Sequence, residues 1–151
     1  CEPNKETYSN LLKIIDFINR KENVKLYNIP AENFDFSSLK NVDVVLTSPP
    51  YFNLEIYTND PDQSYNKFSS YDSWNDQWLK PLIKNCLTIL NDDGISAWNV
   101  MNFKKFDLVS SVISTHEANG WKLFKTIGFN SPLANIRNLK NKDVTYLFRK
   151  E

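Results

Sequence analysis

The apolar run Val42-Asp43-Val44-Val45-Leu46 is followed at once by Thr47-Ser48-Pro49-Pro50-Tyr51, and this junction constrains the fold more than any other stretch. A short run of β-branched and aliphatic residues predicts a buried strand. Two consecutive prolines cannot continue it, because each lacks the N–H that a ladder needs and fixes its own φ. The chain must leave the sheet there in a rigid turn, with Ser48 just before it and Tyr51 just after.

Around that junction the pattern alternates. Leu11, Leu12, Ile14, Ile15 and Ile18 recur at helical spacing and predict an amphipathic helix over residues 7–20. Residues 24–27 predict a short strand, residues 35–41 a turn or a single helical turn, and residues 43–47 the strand already noted. Residues 52–70 are polar and aromatic, with Asn59-Asp60-Pro61-Asp62 as a turn signal, and predict a long loop. Loops of that length in a compact domain are usually functional. Asp72 or Ser73 is the expected cap of a helix reaching about Leu90, with Pro81 kinking it near Lys80. Asn91-Asp92-Asp93-Gly94 is expected to stop that helix, Gly94 serving as a left-handed cap. A strand over 95–101, a helix over 107–118 ended by Gly120, and two strands over 121–129 and 144–149 complete the reading. No helix separates the last two strands, so they are expected to pair antiparallel, while the alternation before them implies a parallel α/β sheet.

Composition narrows the function classes. The chain is 151 residues long, which suits a single domain over 1–151 with a proper core; 41% is hydrophobic and 14% aromatic. Its 18 basic and 18 acidic residues give a formal net charge of zero, which argues against a module that grips nucleic acid by charge alone. The basic positions Arg137, Lys140, Lys142, Arg149 and Lys150 fall late in the chain, where a solvated hairpin is the ordinary reading. No stretch approaches the roughly 20 apolar residues of a membrane helix, and no leader pattern opens the chain. Cys1 and Cys86 lie far apart, and with one histidine they make no metal-ligand spacing. No metal is expected, and a reducing, cytoplasmic setting is the default. Trp74 and Trp78, spaced i,i+4, read as core packing, and Cys86 as a core residue. His116 reads as a surface residue.

The Ser48-Pro49-Pro50-Tyr51 motif at a strand end resembles that of the amino-methylating DNA methyltransferases, which act on N4 of cytosine or N6 of adenine. The bland alternative is a rigid turn or a WW-domain ligand, but such ligands occupy extended disordered segments, not strand ends. The resemblance implies a Rossmann-like class I methyltransferase sheet, mostly parallel with a C-terminal antiparallel strand, and S-adenosylmethionine as cofactor. It implies that the Ser48 side chain and the Pro49 carbonyl accept the two hydrogens of the target amine, with Pro50 fixing the turn and Tyr51 stacking on a base taken out of the duplex. The longer run TSPPYFNLEIY is similar to the family's form too, making Phe52 and Asn53 candidate substrate-loop residues, with a buried Phe52 as the alternative. For the cofactor, Glu2 stands where the family places a ribose-binding acid, although acidic residues near helix starts also have a dipole reason. Residues 28–36 stand where the adenine ring is contacted. There Pro30-Ala31 replaces the Asp-Ala of many members, leaving Ala31 and Glu32 as candidates.

The resemblance also implies a first strand ending in a glycine-rich turn, and none of Gly94, Gly120 or Gly128 belongs to such a cluster. The chain is therefore expected to be N-terminally incomplete, lacking that strand and turn and a separate target-recognition region, and to bind S-adenosylmethionine weakly or not at all by itself. DNA is the expected partner. Ser rather than Asp or Asn before Pro-Pro is commoner among cytosine-N4 members. Competing readings are an RNA or protein-glutamine methyltransferase of the same fold, and a non-catalytic remnant acting as an interaction module.

Overall fold

The structure, a computed structural model, describes residues 1–54, 61, 63–128 and 144–151. Helix α1 spans Lys5–Phe17, strand β1 Val42–Thr47, helix α2 Tyr71–Trp74, helix α3 Lys80–Ile89 and strand β2 Leu90–Val100. Helix α4 follows at Leu108–Glu117, then strands β3 at Trp121–Gly128 and β4 at Val144–Lys150. The four strands form one sheet in the order β1-β2-β4-β3. Strands β1 and β2 run parallel, with α2 and α3 in the crossover between them, while β4 pairs antiparallel with both β2 and β3. This is a Rossmann-like α/β sheet, parallel where β1 meets β2 and closed by an antiparallel C-terminal strand. None of the helices described is long and apolar enough to cross a membrane.

The core lies where α3 and α4 cover the sheet. Trp98 and Val100 of β2, Phe148 of β4, Ile83 of α3, and Leu108 and Val112 of α4 are all fully buried. An aromatic cluster extends this core beneath the exit of β1: Phe52 lies 5.9 Å from Trp74 and 5.9 Å from Phe106, and Trp74 stacks on Trp78 at 5.1 Å. By contrast α1 buries no residue: Ile14 and Phe17 on it and Ile18 just after it remain exposed, as do Val44 and Leu46 of β1.

Several local expectations need correction. Residues 24–27 form no strand: Val24 N–H donates to Lys21 O at 3.5 Å, closing the short turn before it, and Tyr27 O accepts from Glu2 N–H at 2.9 Å, but no ladder forms on them. The cap of α2 is Ser70, not Asp72 or Ser73: the Ser70 hydroxyl accepts from Ser73 N–H, and the Ser73 hydroxyl accepts from Ser70 N–H. Pro81 does disturb its helix, but as a wide turn over Asn75–Leu79 in which Lys80 N–H reaches back to Asn75 O. Widening the turn accommodates a residue without an N–H. The basic cluster at Arg137, Lys140 and Lys142, and most of the turn signal at Asn59, Asp60 and Asp62, lie outside the described residues.

Gly94 is not a left-handed cap. It lies within β2, where the register jumps from Val42↔Leu90 to Val44↔Ile95 and the extra residues bulge outward. Asn91 Nδ2 donates to Asp43 Oδ1 at 2.6 Å across this irregularity and fixes it. Glycine is needed for space: a Cβ on Gly94 would meet Asn91 O at 3.0 Å and Leu90 Cβ at 3.1 Å. Because backbone must yield, Gly94→Ala is expected to destabilise the fold by about 1–2 kcal/mol. A urea midpoint equal to wild type would contradict that. Gly120, at φ 77°, is the glycine that ends a helix in the left-handed region, as the sequence predicted for α4.

Candidate active site

Parallel strands leave a crevice beyond their C-terminal ends, and ligands of α/β proteins commonly bind there. Beyond the end of β1 lies a cavity of about 630 Å³, within the range of small-molecule sites. Three stretches distant in sequence converge on it: Cys1 to Thr7 at the head of α1, Pro30 to Glu32, and Thr47 to Pro50. The turn around Ser64, with Trp78 and Leu82 from the helical crossover, completes the wall.

The Pro-Pro turn is rigid for reasons beyond its prolines. Pro49 is buried. Tyr51 is 5% exposed; its hydroxyl donates to Asn99 O at 3.3 Å and its ring meets Phe103 edge-on at 6.0 Å. Phe52 adopts φ 45°, a left-handed value that costs a non-glycine residue about 1 kcal/mol. Burial of its ring in the aromatic cluster offsets that cost, and Leu54 N–H closes the turn on Tyr51 O at 2.9 Å. Ser48, by contrast, is exposed and faces the cavity.

Two carboxylates stand on the same cavity. Glu2 is held by its backbone, its N–H donating to Tyr27 O and its carbonyl accepting from Asn28 Nδ2 at 2.8 Å. Its Oε1 accepts from Asn4 N–H at 2.8 Å, and Asn4 in turn caps α1 through Thr7 N–H. Glu32 accepts from Lys67 Nζ at 2.7 Å, in an ion pair whose side chains are 24% and 30% exposed. Burial opposes the charge on Glu32, but the Lys67 hydrogen bond and the nearby Trp78 indole N–H outweigh it and hold the carboxyl below its ordinary value. That indole is close enough to act on Glu32 without closing a hydrogen bond of normal geometry with any described residue.

The cavity thus brings together Glu2, Ala31, Glu32, Ser48, Pro49 and Pro50 from the sequence expectation. Tyr51 and Phe52 point into the core instead, and Asn53 is exposed beyond the turn. For Tyr51 to stack on a base, its ring would have to leave its core position. Sequence reasoning missed the second role of Trp78, which packs on Trp74 and also walls the cavity. Its i,i+4 spacing signalled packing alone. Lys67, 35 residues from Glu32, carried no local signal at all.

Cys86 is buried and its thiol is pushed up to about 12 by that burial, so it is not a thiolate nucleophile. Among the described residues no three His, Cys, Asp or Glu side chains are grouped to hold a metal. His116 is not on the surface: it is fully buried, stacked on Phe148 at 3.8 Å. It follows Val112 by four positions and Leu108 by eight, on the buried face of α4, a signal the sequence did contain.

A family model described as DNA methylase, for N6 and N4 enzymes, matches residues 42–150. No curated protein matches the chain. Among solved structures, a protein from Thermoplasma acidophilum, itself assigned only by inference as a methyltransferase, superposes with a TM-score of 0.62 at 12% identity. That superposition covers 99% of this chain and 55% of the other. M1.HpyAVI and its SAM complex are each 18% identical over 80% of the chain, with TM-scores of 0.45 and 0.48. They are covered over 51% and 48% of their own length, so the chain spans about half the length of the solved structures it matches.

Proposed function

The chain belongs to the N6/N4 DNA methylase family, and from that premise we propose that it carries the amine-binding half of a DNA methyltransferase site. The reaction is transfer of a methyl group from S-adenosylmethionine to the exocyclic amine of cytosine or adenine in DNA. One observation carries this reading: Ser48, Pro49 and Pro50, at the exit of a parallel strand, share one cavity with Glu2, Ala31 and Glu32.

The donor set of the cavity fits the cofactor. Glu2 supplies oxygens that can accept ribose hydroxyls, Pro30, Ala31 and Trp78 supply apolar walls, and Glu32 supplies an acceptor beside them. The bound cofactor supplies an electrophilic methyl group on a sulfonium. The rest is work for the chain's own residues. An exocyclic amine conjugated to its ring is planar and a poor nucleophile. Acceptors at the Ser48 hydroxyl and the Pro49 carbonyl draw its two hydrogens to one side and restore lone-pair density on the nitrogen. Because the turn is fixed by two prolines and anchored by Tyr51 and Phe52, these acceptors need little reorganisation during the reaction. The base must leave the duplex stack to present its amine there.

The test is to incubate the full-length gene product with DNA and methyl-labelled cofactor and to identify the methylated nucleoside by mass spectrometry. The expected product is N4-methylcytosine or N6-methyladenine. No label in DNA, together with Pro50→Ala indistinguishable from wild type, would overturn the reading.

A further inference from the structure

Strands β1 and β2 are parallel, so the chain leaves both at the same edge of the sheet. Next to the Pro-Pro turn that follows β1 lies the tight turn over residues 103–106 that follows β2. Its ends are joined by two backbone hydrogen bonds, Phe106 N–H to Phe103 O at 2.9 Å and Phe103 N–H to Phe106 O at 3.3 Å. Both of its aromatic rings pack on the Pro-Pro turn. Phe103 meets Tyr51 at 6.0 Å, while Phe106 meets Phe52 at 5.9 Å and stacks on Tyr71 at 4.5 Å. On either side of the turn, Asn102 Oδ1 accepts from Val109 N–H at 2.9 Å and Asp107 caps α4. Lys104 and Lys105 form the tip, and both are exposed. Lys104 sits at φ 50°, a left-handed conformation that is strained for lysine and free for glycine. Neither lysine makes an ion pair with a described residue, whereas Lys21, Lys67, Lys80, Lys122 and Lys150 each do. Lys105 Nζ has only the Phe106 ring near it, 5.9 Å from the centroid.

We propose that Lys104 and Lys105 grip the phosphate backbone of the strand whose base enters the site, and so position that base at the Pro-Pro turn. This rests on the reading of the chain as part of a DNA methyltransferase. A base taken out of the stack swings on its own sugar-phosphate backbone. Its amine meets Ser48 and Pro49 reproducibly only if that backbone is held at a fixed distance from them. The tip supplies two uncompensated ammonium groups on a turn already clamped to the Pro-Pro turn, so little ordering remains to be done on binding. The strain at Lys104 is what a chain tolerates where surrounding contacts over-determine a functional conformation. Phosphates are common to all nucleotides, so this grip positions the strand and reads no sequence. It also suits a chain of zero formal net charge, in which DNA is held by placed cations and not by an overall field.

The experiment titrates the full-length protein onto fluorescently labelled short duplexes of mixed sequence, following anisotropy from about 50 to about 200 mM KCl. Lys104→Gly combined with Lys105→Gln is expected to weaken binding by about tenfold at the lowest salt and to flatten the slope of log affinity against log salt by about 1–2. Lys105→Arg is expected to keep the wild-type slope. Lys84→Gln, which removes one charge from the exposed face of α3, is expected to leave both affinity and slope unchanged. Lys104→Gly alone separates grip from fold: its urea midpoint is expected at or above wild type while its DNA affinity falls. A wild-type slope in the double variant would overturn the assignment, as would an equal flattening in Lys84→Gln. DNA affinity kept in Lys104→Gly would remove Lys104 from the grip and overturn the assignment as stated. A flattened slope in the double variant, with no methyl label in DNA from the wild type, would uphold the grip and refute only methyl transfer. Labelled DNA with an unchanged slope would uphold the reaction and refute only the grip.

Discussion

Ser48→Ala is expected to lower the rate of methyl transfer by about 10²-fold or more, roughly 3 kcal/mol of transition-state stabilisation, while leaving KM for the cofactor near wild type. The reason for the split is where the hydroxyl acts. Ser48 stands at the exit of β1 on the cavity wall, and its role in the proposed reaction begins when the amine nitrogen leaves planarity. An interaction realised only in the transition state lowers kcat and kcat/KM together when it is removed. Fold stability is not expected to change, since Ser48 is exposed. Ser48→Asp, which keeps an acceptor at that place, is expected to lose less than Ser48→Ala. Single-turnover kinetics on DNA with the full-length protein decides the matter. A rate for Ser48→Ala within about threefold of wild type would remove the hydroxyl from the chemistry and leave the Pro49 carbonyl as the sole acceptor.

What was legible in the sequence divides along a physical line. The exit of β1, the interruption before Pro81, helix α4 and the antiparallel pairing of β3 with β4 all follow from local rules of periodicity and proline chemistry, and all are present. Residues 24–27 show the limit of such rules. They have the composition of a strand, but a strand exists only through its partners, and no ladder forms on them. Gly94 was misread for a related reason: the sequence Asn-Asp-Asp-Gly signals a helix stop locally, whereas β2 starts at Leu90 and needs that glycine for clearance in a bulge. At the site, the Pro-Pro turn was legible because its constraint is covalent. Convergence of Glu2 and Glu32 on that turn was available only through the family resemblance, and Lys67 not even through that. Ion pairs between loops leave no periodic trace.

Acidification from about pH 7 to about pH 4 is expected to weaken the fold by about 3 kcal/mol through His116 alone. The imidazole sits in a closed chain of hydrogen bonds. The carbonyl of Val112 lies 2.7 Å from Nδ1, so Nδ1 carries the proton and donates. Nε2 then accepts from the Ser96 hydroxyl at 2.9 Å, and Ser96 Oγ accepts from Trp98 Nε1 at 2.8 Å. Every polar atom is satisfied only while the ring is neutral. A proton on Nε2 would force the Ser96 hydroxyl to turn its hydrogen elsewhere, in a pocket closed by Phe148, and would bury a charge. Burial accordingly lowers the His116 pKa from 6.5 to about 4, against a smaller opposing effect of the Val112 carbonyl. The sign follows from where the proton binds. Above pH 6.5 neither state is protonated and this contribution is constant. Between 6.5 and about 4 the unfolded chain takes up a proton that the folded chain refuses, so stability falls as pH falls, by at most about 1.4 kcal/mol per unit. Below about 4 the loss levels off. Asp107, held below its ordinary 3.8 by the hydrogen bonds from Ser110, loses its own contribution only at still lower pH, so the two windows separate. Urea unfolding of the chain at about pH 7 and about pH 4.5 measures the effect, and the single histidine makes its NMR titration unambiguous. An unchanged urea midpoint, or an imidazole titrating near 6.5 in the folded chain, would show that α4 does not carry His116 into the core. The same network ties α4 to β2 through Ser96 and Trp98, and Asn99, next in β2, anchors Tyr51 behind the Pro-Pro turn. Loss of the His116 contacts is therefore expected to loosen that turn before the sheet itself unfolds, with methyl transfer declining at a pH where far-UV dichroism is still unchanged.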